Sequence, residues 1–347
     1  MKDLLKIKQQ LDQYRSQNQP FITVNNSEWY TLFRDEIRNS IAIEGIFTNR
    51  NELLAVLEHG RRTSDQKSAA ILGYFEAANT LYEYANNLYR TGEFSVRLSD
   101  LKQIHTLLMR YEYQLETFTG ILGDFRREDV AVTHSLFTPL NHTYIPEVLP
   151  VFVQWLNEQV RNPQIDMLKF VSACHVLFET IHPFRDGNGR VGRILLSYLL
   201  IGNGLVNITI KGTTKEDRDK YYHALEVGDD RIEKLMRAVE SGKKLNTDLI
   251  DATIAQSDLE PLKMLLSKCV GHSFEMIEKG MKTADSDAMI SLRDAGKFFN
   301  YSQDYLRQLI NRKKLLAIKH GKLWFVKVRD IEAYMKRKPS RETLIPK

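Results

Sequence analysis

Apolar residues recur at three- and four-residue spacing along most of this 347-residue chain, the pattern of helices with one buried face. Leu53, Leu54, Val56 and Leu57 form one such set. Ala70, Ile71, Leu72, Tyr74 and Phe75 begin a second that runs on to Tyr84, and Leu101, Ile104, Leu107 and Leu108 make a third. The same spacing predicts helices over 148–160 and 166–180. Proline and glycine are sparse, and there are no internal repeats or low-complexity linkers, so the chain reads as a compact α-rich body. One stretch departs from this. Residues 129–144 hold Val130-Ala131-Val132-Thr133-His134, a polar tip, and Asn141-His142-Thr143-Tyr144. Two short β-favouring pieces around a tip predict a hairpin or, more simply, a surface excursion.

The end of the chain reads differently. Ser291 can cap a helix over 292–299, a polar turn follows at 300–302, and 303–312 predicts a second helix. Apolar and polar residues then alternate over 315–328 around His320-Gly321-Lys322, a hairpin signal, and 329–338 predicts a last helix before Pro339. This order resembles the winged helix-turn-helix of MerR-type and excisionase-type DNA-binding modules. Charge sharpens the division. The net +5 of the whole chain conceals 15 Lys or Arg against 5 Asp or Glu in 290–347, a local +10, which leaves −5 for the remainder. So basic a terminal module favours a polyanion partner.

At this length two or three domains are expected, and 43% hydrophobic with 27% charged residues is ordinary for a soluble globular protein. No apolar run approaches the roughly 20 residues that span a bilayer, and residues 1–19 lack an apolar or Arg-rich leader. Cys174 and Cys269 have no metal-ligand spacing and read as reduced thiols of a cytoplasmic protein without a membrane partner.

The chemistry concentrates in His182-Pro183-Phe184-Arg185-Asp186-Gly187-Asn188-Gly189-Arg190-Val191-Gly192-Arg193. Pro183 should stop the preceding helix at His182. Val191, Ile194, Leu195, Tyr198 and Leu199 start another, so the loop lies at a helix N-terminus, where free N–H groups favour an anion. Gly187 and Gly189 let the backbone close around it. Asp186 offers a carboxylate to Mg2+, Arg190 and Arg193 are one turn apart on the same side, and His182 can act as a general base. The chain carries its own control. Gly202-Asn203-Gly204 repeats the glycines without the His, acid or arginines, and reads as a helix end. No Walker A string occurs, and the carboxylate series of an EF-hand is missing.

A second string is Ser40-Ile41-Ala42-Ile43-Glu44-Gly45. Trp29, Phe33, Ile37 and Ile41 give the helical spacing before it, and Gly45 should end that helix. Ser40 and Glu44 then share a face. Glu44 sits where the helix dipole disfavours an acid, so it is either a solvated surface glutamate or one held by a basic partner elsewhere.

The loop resembles the signature of the Fic family, H-P-F-x-[D/E]-G-N-G-R with a second Arg three residues on, and meets it at every position. Cys174 to Ile181, Gly123-Asp124-Phe125-Arg126 and the stretch ending Tyr144-Ile145-Pro146 extend the resemblance over roughly 96–239. It implies a mainly α, Fic-type helical bundle with a β-hairpin flap. The domains would be an N-terminal helical region with an inhibitory motif (1–95), a catalytic domain (96–240), a helical connector (241–289) and the winged helix-turn-helix module (290–347). It further implies transfer of AMP from ATP, with Mg2+, to a Ser, Thr or Tyr hydroxyl of a protein or of itself. His182 would deprotonate that hydroxyl and Asp186 would hold Mg2+. Gly187, Asn188, Gly189 and Arg190 would bind the phosphates, Arg193 would take the γ-phosphate, and Phe184 would anchor the loop. The flap near 130–146 would align an extended target segment by strand addition. Ser40, Glu44 and Gly45 match the family's inhibitory [S/T]-x-x-x-E-[G/N] motif, in which Glu44 would pair with Arg193 and displace the γ-phosphate.

Tyr222 sits where relatives contact the base, although Tyr221 to Leu225 reads equally as helical packing. His134 and His142 lack a completed ligand set, and Trp324 is expected in the core of the wing. Two alternatives stay open. One is a relative with another nucleotide preference, or one that removes AMP with Glu44 assisting a water. The other is a DNA-binding regulator acting through 290–347, with Arg307, Arg312, Lys313 and Lys314 on its surface. Oligomeric state is open, a homodimer included.

Overall fold

The computed structural model describes residues 4–17, 21–58, 63, 65–132, 138–283, 289–299, 301–321, 323–327, 330–331 and 333–334. It divides into two compact units, 1–274 and 275–347.

The first unit is built from helices. In chain order they are α1 (Leu4–Gln17), α2 (Ser27–Ile43), α3 (Arg50–Glu58), α4 (Gln66–Thr91), α5 (Leu98–Gln114), α6 (Ile145–Val160), α7 (Met167–Ile181), α8 (Asn188–Gly202), α9 (Lys215–Glu240) and α10 (Thr247–Gln256). Then α11 (Glu260–Thr283) runs across the division. Local signals set several boundaries. The Asn26 side chain accepts the Trp29 N–H to start α2, and Asp65 and Ser68 form a capping box for α4. Asp166 caps α7 through the Lys169 N–H, and α7 ends at His182, as Pro183 demands. Gly45, at φ +80°, turns the chain out of α2.

Helix α8 lies at the centre. Every residue of it except Gly189 is buried, as expected of a helix that is apolar nearly all round. It packs on α2, α4, α5 and α7. The control string behaves as a helix end, with Asn203 capping α8 and Gly204 at φ +89°. The freed carbonyls of Gly204 and Leu205 accept from Arg15 of α1 at 2.7 and 2.6 Å.

The flap region is pinned at both ends. Residues 129–132 and 138–141 run without regular structure, and His142–Tyr144 form one 3-10 turn. The tip of the expected hairpin, 133–137 with His134, lies outside the described residues. Among the described residues this stretch carries no strand; its anchors are Leu140 N–H to Thr180 O at 3.1 Å and Asn141 N–H to Glu240 at 2.7 Å. His142 is occupied by Asp129 at 3.0 Å.

The second unit holds β1 (Met289–Ser291), α12 (Leu292–Phe298), α13 (Gln303–Asn311), β2 (Ala317–His320) and β3 (Leu323–Lys327). The expected wing is β2 and β3, paired antiparallel with Ile318 opposite Phe325. Ser291, expected as a cap, is the last residue of a third strand that places Ile290 opposite Val326. Three residues are too few to show alternation, and the partner lies 36 positions on, so no local pattern could reveal β1. Ile290, Leu292, Ala295, Leu306, Leu309, Leu315, Val326 and Ile331 make the small core, with Trp324 packed against it. Of the expected last helix, 330–331 and 333–334 are described and helical.

Gly73 lets α4 approach α5, since a Cβ there would lie 1.9 Å from the Leu108 carbonyl oxygen. We expect Gly73→Ala to cost about 1–3 kcal/mol or more by forcing two backbones apart. Gly271→Ala, where nothing lies within 4 Å, should leave stability equal or slightly higher. Urea melts compare the two; equal midpoints would refute the close approach.

Candidate active site

The six residues between α7 and α8 form a braced loop. His182 ends α7 in the left-handed region at φ +50°, a conformation unfavourable for a side chain with a Cβ. Arg126, fully buried, holds it there. Its Nε donates to His182 O at 2.7 Å, its Nη2 reaches Leu140 O, and its own N–H bonds Pro183 O at 2.9 Å. The flap base and the loop between α7 and α8 are thereby joined through one guanidinium. Phe184 is buried as expected, stacked on His105 with centroids 4.1 Å apart and planes 7° from parallel.

Asn188 departs from its expected part. Its side chain accepts from Phe184 N–H and donates to Phe184 O, both at 2.8 Å, so only its backbone amide is left for a ligand. The side chain is a clamp. Gly187 opens α8 at φ +79° and supplies no side-chain cap, and a helix start of this kind leaves first-turn amides suited to an anion. Asp186 is exposed at the rim, with Oδ1 accepting the Gly187 N–H at 2.5 Å. No group of three or more His, Cys, Asp or Glu able to hold a metal occurs among the described residues. A cation beside Asp186 would therefore draw its other ligands from phosphate and water. Mg2+ commonly binds in this way, so the residues fit it.

Arg190 and Arg193 diverge, contrary to the expectation that they reach out on one side. Arg190 forms a buried ion pair with Glu112 of α5, which meets both of its terminal nitrogens. Arg193 turns to α2, donating from Nε to Ser40 Oγ at 2.8 Å, and from Nη2 to Ser40 O at 3.1 Å and Glu44 Oε1 at 2.5 Å. The reason is that α5 and α2 flank α8 and each presents a carboxylate, and a buried guanidinium without one is costly. Glu44 thus has the basic partner its position called for. Its carboxylate also covers the cradle, with Oε1 2.7 Å from the point where a Cβ on Gly189 would stand. Desolvation by the surrounding protein opposes the charge on Glu44, whose side chain stays 35% exposed, but Arg193 and Arg190 hold its carboxyl below the ordinary range. A carboxylate already sits where an anionic ligand would go.

His182 stands beside this cradle. Its Nδ1 lies 3.2 Å from Glu179 O, and a carbonyl can only accept, so Nδ1 carries the proton and Nε2 the lone pair. Burial pushes the ring down to about 4, aided by Arg126 and opposed by the Glu179 carbonyl, Glu44 and Asp186. The imidazole is neutral at pH 7. Glu179 Oε2 is 3.9 Å from Nδ1, and burial raises its carboxyl to about 8, against Arg193. At neutral pH it is therefore mostly protonated and adds little charge. Tyr222 lies 41% exposed with its hydroxyl on Ile43 O at 3.1 Å, whereas Tyr221 is buried and bonded to His175 at 2.7 Å. Glu112 carried no local signal in the sequence, because its partner Arg190 lies 78 positions away, whereas Arg126 and Glu179 lay within the strings that resemble the family but had no part of their own assigned.

Comparison with known proteins agrees with this geometry. Residues 95–200 match the Fic/DOC family and residues 289–339 the family described as Helix-turn-helix domain. A probable protein adenylyltransferase of Aquifex aeolicus (strain VF5) is 27% identical over 302 residues, covering 86% of each chain. Protein adenylyltransferase fic-1 of Caenorhabditis elegans is 26% identical over 205 residues, 58% of this chain but 38% of that protein. In structure, a Fic domain containing signaling protein from Bacteroides thetaiotaomicron VPI-5482 matches with a TM-score of 0.59 at 21% identity, over 79% of this chain and 97% of that one. The chain carries a Fic domain within its first unit and a helix-turn-helix domain within its second. Among the described residues no helix is long and apolar enough to cross a membrane.

The depressed basicity of His182 has a direct check. Its ring resonances, assigned by their loss in His182→Ala, should titrate near 4 and not near the 6.5 of a free imidazole. Because the folded value is the lower, the unfolded ring protonates first. Folding stability contributed by this group is complete above about 6.5 and declines as pH falls toward 4. A midpoint at 6.5 in the NMR titration would contradict the buried neutral base.

Proposed function

We propose that this protein is an adenylyltransferase that moves AMP from ATP to a Ser, Thr or Tyr hydroxyl of a protein, itself included, and that Glu44 restrains it. The observation that carries the reading is the neutral His182 at the edge of an uncapped helix N-terminus whose anion place is taken by the Glu44 carboxylate beside Arg193. The names of the Aquifex and Caenorhabditis proteins support the reaction type.

In this reading the amides of Asn188 and Gly189 cradle the phosphates, joined by that of Gly187 once Asp186 releases it, and Arg193 takes the γ-phosphate once Glu44 yields it. Arg190, held by Glu112, acts by its positive field from behind the loop. Asp186 would hold Mg2+, which supplies charge neutralisation of the phosphates. The target hydroxyl oxygen forms a bond to the α-phosphorus while its proton passes to His182 Nε2. The bond from that phosphorus to the bridging oxygen breaks, and pyrophosphate leaves. Arg126 positions His182, and the flap near 130–146 aligns the target segment. Tyr222, exposed and with its hydroxyl on Ile43 O at the end of α2, would meet the base.

Incubation with ATP labelled at the α-phosphate tests this. The wild type should label weakly and His182→Ala not at all. Glu44→Gly should label at least about tenfold faster, as expected if ATP no longer competes with an attraction of roughly 1.4 kcal/mol or more. Label from the γ-phosphate should not transfer. Transfer surviving in His182→Ala would sink the mechanism, and release of AMP from a modified protein would favour the reverse reaction.

A second activity rests on the second unit. Arg307, Arg312, Lys313, Lys314 and Lys319 are all exposed on or beside α13 and β2, a basic surface suited to DNA phosphates. A gel shift of the whole chain on duplex DNA should weaken steeply with salt. Arg312→Ala and Lys313→Ala should each reduce the log–log slope by about one. A salt-independent or absent shift would leave this unit an interaction module.

A further inference from the structure

Glu36, Ser40 and Glu44 follow one another at four-residue steps along α2, and Ser197, Arg193 and Gly189 do so in reverse along α8. The two rows meet rung by rung. Ser197 Oγ donates to Glu36 Oε1 at 3.2 Å, Arg193 Nε donates to Ser40 Oγ at 2.8 Å, and Glu44 takes Arg193 Nη2 above Gly189. The last two rungs are the brake already described. The first is not part of any chemistry, yet it is the most heavily built. Glu36 is 2% exposed, and besides Ser197 it accepts from Tyr74 at 3.0 Å, Tyr82 at 2.5 Å and Asn207 at 2.7 Å. These donors come from α4, α8 and the segment after α8. A small cavity lined by Glu36, Ser40, Tyr74, Arg193, Ile208 and Ile210 joins this rung to the next.

An acid in a core is tolerated only where its hydrogen bonds are met. Apolar side chains on α2 would allow small slides and rotations at little cost, whereas four directional donors permit one register. Burial pushes the Glu36 carboxyl up to about 7 against the combined pull of Tyr82, Asn207, Tyr74 and Ser197, so it is held where charge is expensive.

We propose that Glu36 is a positioning residue for the brake: its carboxyl sets the rotation and axial register of α2 on α8 and so keeps Glu44 on Arg193. This rests on the reading of Glu44 as an inhibitor. A glutamine at position 36 keeps the shape but turns an N–H2 toward fixed donors, which should loosen α2 and free Arg193 without touching the loop.

The test is the initial rate of α-phosphate self-labelling in four variants, with thermal melts alongside. Glu36→Gln should raise the rate about five- to tenfold, and Tyr82→Phe, which deletes one donor and keeps the acid, about two- to threefold. In a Glu44→Gly background the same Glu36→Gln change should alter the rate by less than about twofold, because there is no brake left to position. A residue needed only for folding would lower the rate in both backgrounds, and that outcome overturns the proposal. So does an unchanged rate in both Glu36→Gln and Tyr82→Phe while Glu44→Gly is fast. Should Glu36→Gln not fold, Tyr82→Phe decides alone by rising or not. If Glu44→Gly itself fails to accelerate labelling, the inhibitory reading fails first and is recognised as the cause.

Discussion

Arg193 is a permanently charged group in the middle of a buried helix, and most of the first unit can be understood from what that requires. A guanidinium removed from water needs an anion and its hydrogen bonds, or the fold loses several kcal/mol. Here Ser40 and Glu44 of α2 supply them. Glu44 in turn stands at the C-terminal end of α2, where the helix dipole disfavours an acid. It is tolerated because the positive N-terminal end of α8 and two arginines face it. The carboxyl end of one helix and the amino end of another are thus closed by a single ion pair. Helix α8 itself is wrapped by α2, α4, α5 and α7.

Around that pair the loop is rigid by other means. Asn188 clamps Phe184, Phe184 stacks on His105, and Arg126 carries the strained His182 and the flap base together. None of these contacts involves Glu44. The braces that shape the loop and the contact that covers it are separate. Arg190 belongs with the braces. Its pairing with Glu112 ties α8 to α5 and fixes a positive charge behind the cradle.

The second unit is organised on different terms. Its core is small, and the addition of β1 to the wing gives three strands with Val326 on the central one fully buried. Trp324 packs on this core while Lys319 lies over its ring at 5.6 Å. Among the described residues Arg307, Arg312, Lys313, Lys314 and Lys319 lie exposed on or beside α13 and β2.

Much of this could be read from the sequence because it is local. Apolar spacing located α4 to α8, Pro183 ended α7, and the contiguous run from His182 to Arg193 declared an anion site. The glycine string at 202–204 was told apart by the residues it lacks. The helix-turn-helix order was likewise legible from turn and cap residues. What the sequence could not decide were the meetings of residues far apart in the chain. Spacing put Arg190 and Arg193 on one side of a helix, but carboxylates 78 and 149 positions away drew them apart. That the Asn188 side chain is spent on Phe184, leaving only its amide for a ligand, was likewise not legible. Glu36 and Glu112 gave no signal and Arg126 only its place in a family-like string, since a buried charge is defined by partners that only packing brings near. Local chemistry wrote the loop; the three-dimensional contacts decided which of its groups remain free to act and which one covers them.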